Sequence, residues 1–282
     1  ERFTQRRRLR RRHAAAVFFV LALLLVLGVV YGLRQDTVRI SQIQVFSTDT
    51  SSGGEEEPLA DIARAAMQGM YFGLVPRDSI FIFPAARIRA DILAARPGIA
   101  AVSLSRNGLT SISIKTDERV PIARWCGASE KKSDFENSDL KSDFQSDANC
   151  YLFDAGGFVF ATAATTTETV NSFSLYAPLE GDGLEPLRAT LAQTDKLPGA
   201  FDFARELVTL GSPVIHLVIR GDEVDTILAS GTRIIHVLGN EQNAFTALVS
   251  ARETLNLSDG SVDYIDLRFD GKVYLKKIIN NR

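Results

Sequence analysis

The chain has 282 residues, 45% of them hydrophobic, enough to fill one or two ordinary cores and most naturally two small domains. Its formal net charge of -2 is unevenly spread: residues 1–13 hold seven arginines against one glutamate, a net of +6, and the remainder holds 25 basic and 33 acidic residues, a net of -8. An acidic body repels phosphate, which excludes nucleic acid as its partner and leaves the arginines another purpose. Residues 14–33 supply it, running from Ala14 to Leu33 with no charge and no proline. As a helix they span about 30 Å, the thickness of a bilayer's hydrocarbon core. Arg6, Arg7, Arg8, Arg10, Arg11 and Arg12 precede this segment, and only Arg34 and Arg39 follow closely. That bias predicts a basic cytoplasmic tail (1–13), one transmembrane helix (14–33) in the cell (inner) membrane and an extracytoplasmic body, with Tyr31 near the far interface. A cleaved signal peptide would have a shorter apolar core and a small-x-small site; Val30-Tyr31-Gly32 provides none, so the helix is expected to stay as an anchor.

After the anchor, Val38–Ser47 alternates around Ile43 and Val45 and predicts a strand. The run at 48–57 (TDTSSGGEEE) is a polar loop. Pro58 opens a helix with apolar positions Leu59, Ile62, Ala66 and Met70, and Glu55, Glu56 and Glu57 complement its N-terminal dipole. A second helix starts near Pro84, is expected to bury Ile88, Ile92 and Leu93, and is stopped by Pro97-Gly98. Strands at Ile99–Ser105 and Leu109–Thr116 are joined by Arg106-Asn107-Gly108, a hairpin signal. Residues 38–117 therefore read as a β-α-α-β-β module.

The second domain, 118–279, begins with a strand over Val120–Trp125. Residues 127–149 repeat Lys-Ser-Asp-Phe and predict a flexible loop. Cys126 and Cys150, the only cysteines, bracket it. Export to an oxidising compartment favours a disulfide between them over two free thiols, worth at most ~3.5 kcal/mol by chain entropy. A hairpin follows, CYLFD and FVFAT around Ala155-Gly156-Gly157. Helices are predicted at Leu184–Thr194 and Ala200–Leu210. Pro213–Arg220, Val224–Ala229 and Thr232–Leu238 form a meander, and Asn240–Leu255 an amphipathic helix striped by Phe245, Leu248, Val249, Arg252 and Leu255. In the last hairpin, Val262–Lys276, a two-residue turn at Asp270-Gly271 would mix the two faces. A three-residue loop, Phe269-Asp270-Gly271, instead pairs Leu267 with Val273 and Ile265 with Leu275 on a buried face. Tyr264, Asp266, Arg268, Lys272, Tyr274 and Lys276 then share the wet face. With no successor to cover it, the final strand is expected to be a free edge. The overall fold class is α+β: one transmembrane helix, the β-α-α-β-β module, and a mostly antiparallel β domain with flanking helices.

Catalytic chemistry is hard to find. His13 lies beside the membrane segment, and His216 and His236 sit singly inside apolar strands, where a core residue is the ordinary reading. Ser129-Glu130-Lys131-Lys132 has Ser-x-x-Lys spacing but falls in the flexible loop without companion motifs. Asp134, Asp139, Asp143 and Asp147 fit no calcium loop, and Gly181-Asp182-Gly183 lacks the rest of a phosphate fingerprint. No catalytic residue, metal site, cofactor or small-molecule substrate is expected.

Several phrases in this order and spacing resemble the FtsQ/DivIB family of bacterial cell-division proteins: ISQIQVF at 40–46, PGIAAV at 97–102 with Ile112-Ser113-Ile114, ERVPIA at 118–123, FDAGGFVF at 153–160 and YIDLRF at 264–269. The family usually carries a glycine where Ser47 stands, and the Cys126–Cys150 loop is an addition. The resemblance implies a POTRA domain at 34–117, an FtsQ/DivIB-like β domain at 118–279 and a non-enzymatic divisome hub in septation, joining early and late components. It also implies that the terminal strand takes up a segment of a bitopic FtsB-like partner, accompanied by an FtsL-like protein, through Tyr264, Arg268, Lys272, Val273, Tyr274, Leu275 and Lys276. The competing reading is an exported POTRA module acting as a chaperone in secretion or outer-membrane assembly, although neither tandem repeats nor a following barrel pattern is visible.

Overall fold

The computed structural model describes residues 2–47, 56–128, 150–164, 168–181, 185–269 and 271–278. The loop at 48–55, Ser129–Lys132 with the aspartates behind it, Asp182, Gly183 and Asp270 lie outside the described residues. The chain divides into two units, Glu1–Glu118 and Arg119–Arg282.

The first unit begins with α1, Arg2–Leu33. Its stretch Ala15–Leu33 is long and apolar enough to cross a membrane, and none of those side chains is buried. A 3-10 turn, Asp36–Val38, leads into β1 (Gln42–Ser47), so the strand starts later than the alternation suggested. Then come α2 (Glu56–Ala66), a small hairpin of β2 (Met70–Tyr71) and β3 (Val75–Pro76), α3 (Ala85–Ala95), β4 (Ile99–Arg106) and β5 (Ser111–Glu118). The sheet order is β1-β5-β4, with Val45 beside Ile114 in the parallel pair and Leu104 beside Ile114 in the antiparallel one. One core gathers Leu59, Ala63, Met67, Ile88, Ile92, Ile112 and Ile114 from both helices and the sheet. Full burial of Ile88 or Ile92 is worth about 2–3 kcal/mol each.

Two expected core positions fail, for local reasons. Leu93 is 38% exposed, because Ile88 and Ile92 are one turn apart on the same face and Leu93 is rotated off it. Met70 is exposed in β2: α2 has already ended and Gly69 turns the chain with φ +93°, leaving the apolar position to Met67.

The second unit contains β6 (Ala123–Trp125), β7 (Tyr151–Phe153), β8 (Val159–Thr162), β9 (Ser174–Tyr176), α4 (Leu197–Leu207), β10 (Val214–Arg220), β11 (Glu223–Leu228), β12 (Arg233–Val237), α5 (Glu241–Ala251), β13 (Val262–Asp266) and β14 (Tyr274–Lys277). They make one nine-stranded sheet, ordered β14-β13-β12-β11-β10-β9-β6-β7-β8. It is mostly antiparallel, with parallel pairs at β12–β13, β10–β9 and β9–β6. Leu217, Val224, Leu228, Ile234 and Ile265 share a core with Phe203 and Leu207 of α4 and Leu248 of α5.

The predicted helix at Leu184–Thr194 is absent. Residues 185–194 are turns and single β-bridges, Phe158 to Thr190 and Leu179 to Leu191, and Arg188 and Gln193 have left-handed backbones that no α-helix tolerates. Cys126 and Cys150 are joined by a disulfide across 24 positions of chain.

Candidate partner-binding edge strand

The β13–β14 hairpin adopts the three-residue-loop register. Ile265 faces Leu275, Asp266 faces Tyr274 and Tyr264 faces Lys276. The Lys272 amide donates to the Phe269 carbonyl (3.1 Å), and Gly271 takes φ +67°, a conformation suited to glycine. Asp263 bulges from β13 opposite Lys276 and Lys277.

β14 is the margin of the sheet, and among the described residues no strand lies on its outer side. The Ile278 amide donates to the Ser261 carbonyl (2.9 Å). Because ladder bonds alternate every two residues, Tyr274 and Lys276 direct their backbone groups to β13, and Leu275 and Lys277 direct theirs outward. Val273 packs against the core, but Leu275 does not reach the burial expected of it: although opposite fully buried Ile265, it is 40% exposed. A margin strand has a neighbour on one side only, so its inner face is half covered.

The wet face is an arranged surface. Arg233 and Lys276 place their charges 5.8 Å from the Tyr264 ring centroid, within cation–π range. Lys276 also pairs with Asp263 at 2.8 Å, and the hydrogen bond it donates to that carboxylate raises the lysine's pKa. Phe269 and Tyr274 meet edge to face at 5.5 Å. Arg268 is held by ion pairs. Its Nε and Nη2 grip Asp266 at 2.9 and 2.6 Å, and its Nη1 bonds Glu223 at 2.6 Å. Glu223 in turn lies 3.6 Å from Arg220, which pairs with the buried carboxylate of Asp225. Burial would raise the Asp266 pKa, but the Arg268 side-chain and backbone hydrogen bonds outweigh it and hold the carboxylate below its usual range. The Asp266 hydrogen bond likewise raises the Arg268 pKa against its burial. Arg268 thus ties the end of β13 to the β10–β11 corner and positions the margin.

The structure gathers Tyr264, Tyr274 and Lys276 on one face, puts Val273 and Leu275 on the other, sets Lys272 in the turn and draws Arg268 into the ion-pair chain. Sequence reasoning missed Lys277, Ile278, Phe269, Arg233 and Glu223. Lys277 and Ile278 simply continue the alternation past Lys276; Arg233 and Glu223 become neighbours only through strand order. Two of the phrases that carry the family resemblance also meet: Arg119 pairs with Asp154 and lies 4.3 Å over the Phe158 ring, while Asp154 caps the Gly156 and Phe158 amides at 2.9 and 3.0 Å.

Among the described residues, no group of three or more His, Cys, Asp or Glu is placed to hold a metal ion. No family model matches the chain, and no curated protein matches it.

Proposed function

We propose that this chain is a membrane-anchored, non-catalytic scaffold of bacterial cell division of the FtsQ/DivIB kind, held by α1 with its arginine-rich end in the cytoplasm and its body outside. In this reading residues 34–117 serve as a POTRA domain, and β14 receives an extended segment of an FtsB-like bitopic protein that arrives with an FtsL-like companion. The observation that carries the reading is the open margin of β14, where Leu275 and Lys277 turn backbone groups outward beside a half-exposed leucine. Strand addition uses such an edge, drawing affinity from main-chain hydrogen bonds and specificity from alternate side chains. Tyr264, Tyr274 and Lys276 would read the partner on the wet face, and Leu275 would be covered on the other.

The test uses the full-length chain in host membranes, compared with Lys277→Pro and with a chain ending after Phe269. Along the backbone, proline at 277 removes only an outward-facing donor, so β14 keeps its bonds to β13 while losing one charge. The full chain should capture a small bitopic coiled-coil protein, Lys277→Pro should capture it roughly tenfold more weakly, and the shortened chain should not capture it. Equal capture by all three would remove β14 as the site. Capture of outer-membrane barrel precursors instead would replace the division reading with the chaperone one.

A further inference from the structure

The β2–β3 hairpin of the first unit has an unusual turn. Its sequence from Met70 to Pro76, MYFGLVP, is uncharged. The Leu74 amide donates to the Tyr71 carbonyl at 3.0 Å, and the two central residues, Phe72 and Gly73, have φ of +50° and +68°. Such turns favour Asn-Gly, and a bulky residue at the first central position is strained. Here that residue is a phenylalanine 98% exposed, with Leu74 and Met70 also exposed beside it. The fold gains no packing from the Phe72 ring, so the strained turn serves only to project it.

The hairpin is fastened to the end of the apolar helix. Arg34, the residue after Leu33, donates from Nε to the Leu74 carbonyl at 2.8 Å. Just beyond, Arg39 forks onto Asp78 (3.1 and 2.7 Å), the Ile40 amide bonds the Asp78 carbonyl (2.8 Å) and the Ile80 amide bonds the Val38 carbonyl (2.9 Å). The chain leaving α1 and the chain leaving β3 are therefore laced together over several residues. The hairpin turn is held at the level where the apolar segment ends. Arg77, the first charge after the turn, stands 5.2 Å over the Tyr71 ring, on the side of the hairpin away from its tip.

We propose that this hairpin is a second membrane contact: the Phe72 ring, with Leu74 and Met70, enters the interfacial layer of the bilayer on the side where the body lies. The proposal rests on α1 spanning the membrane. Aromatic rings concentrate at that depth, and Tyr31, one turn before Arg34, is already exposed there. A lipid surface is the occupant because the patch is continuous with the membrane helix through the Arg34–Leu74 bond. One helix alone leaves the first unit free to swivel and tilt. A second contact beside it sets the unit's height and orientation above the lipid.

Trp125 is the chain's only tryptophan and is buried, so an added indole can be read against a quiet background. The experiment places the full-length chain, wild type, Phe72→Trp or Leu24→Trp, in phosphatidylcholine–phosphatidylglycerol vesicles, and quenches with bromine on the upper acyl chain for Phe72→Trp, near the chain end for Leu24→Trp, or with aqueous iodide for each. The expected result is a blue-shifted Phe72→Trp emission, most of it lost to brominated lipid and little to iodide. Leu24→Trp should behave likewise, and wild type should respond to neither. If Leu24→Trp is quenched by bromine while Phe72→Trp answers only to iodide, the hairpin contact is wrong and the membrane helix stands. A Phe72→Trp signal reached by neither quencher means that protein covers the ring, as in a second copy of this chain, and also overturns the proposal. If Leu24→Trp escapes bromine, the membrane-spanning reading fails and takes this one with it.

Discussion

The two margins of the nine-stranded sheet are treated in opposite ways. At the β8 margin the chain returns to cover itself: the Val159 amide donates to Ala189, the Arg188 amide to Val159 and the Leu191 amide to Gly157, all at 2.8–2.9 Å. The same segment is fastened on its far side, where Glu180 and Ala192 bond Thr190 and Pro178 at 2.7 and 2.9 Å. At β14 no described segment plays that part. Composition follows the difference. β8 is Val159-Phe160-Ala161-Thr162, uncharged and half buried, whereas in β14, Tyr274-Leu275-Lys276-Lys277, every residue is exposed. A covered margin can be apolar; an open one needs charge to keep it from pairing with copies of itself. The openness of β14 is therefore local and specific, which is why the proposed site lies there.

The largest expected effect tests whether both margins hang on one core. His236 lies in β12, fully buried, 4.5 Å from the Phe203 ring, and burial lowers its pKa to about 3. Its pKa is lowered on folding, so the unfolded chain binds the proton first. The His236 contribution to stability should be constant above about pH 6.5 and fall as pH drops toward 3, at up to ~1.4 kcal/mol per pH unit and several kcal/mol in all. His236→Leu should flatten that acid limb in denaturant unfolding measured from pH 3 to 7. An unchanged limb would mean that protonation of His236 does not weaken the fold.

A smaller effect breaks the covered margin. A Cβ on Gly157, whose φ is +75°, would meet Thr194 Cγ2 at 2.4 Å and Leu191 Cβ at 3.3 Å. Gly157→Ala should cost about 2–3 kcal/mol in denaturant unfolding, from backbone strain and the displaced covering segment, and should raise hydrogen exchange at Val159 and Leu191. Exchange at Ile265 in β13 should rise by no more than the global loss of stability, because the covering segment does not touch that margin.

The contrast also marks how far the sequence could be read. The β14 register was legible because only one pairing keeps Ile265 and Leu275 on one face and Tyr264 and Lys276 on the other. The covering segment was misread as a helix because Leu184, Leu187 and Leu191 recur at helical spacing. Its real partners, Gly157 and Val159, lie about thirty positions away, and no local pattern announces them. Arg268 shows the same limit: its bidentate hold on Asp266 is local, but Glu223 is 45 positions distant. Periodicity also assumes a completed sheet, so it buried Leu275, which the open margin leaves exposed.

The smallest effect on stability belongs to Lys276. Its pair with Asp263 is short but exposed on both sides, so Lys276→Ala should barely shift unfolding, and less still at high salt. Its consequence should appear in association instead. Removing the charge leaves β14 with Tyr274, Leu275 and an outward-facing backbone guarded by Lys277, closer to the composition of β8 but with no covering segment among the described residues. Sedimentation of the detergent-solubilised chain should then show concentration-dependent self-association that the wild type lacks, and Lys276→Arg should suppress it. If Lys276→Ala sediments as the wild type does, Lys276 does not guard the edge, and its place beside Tyr264 must be explained by what it binds.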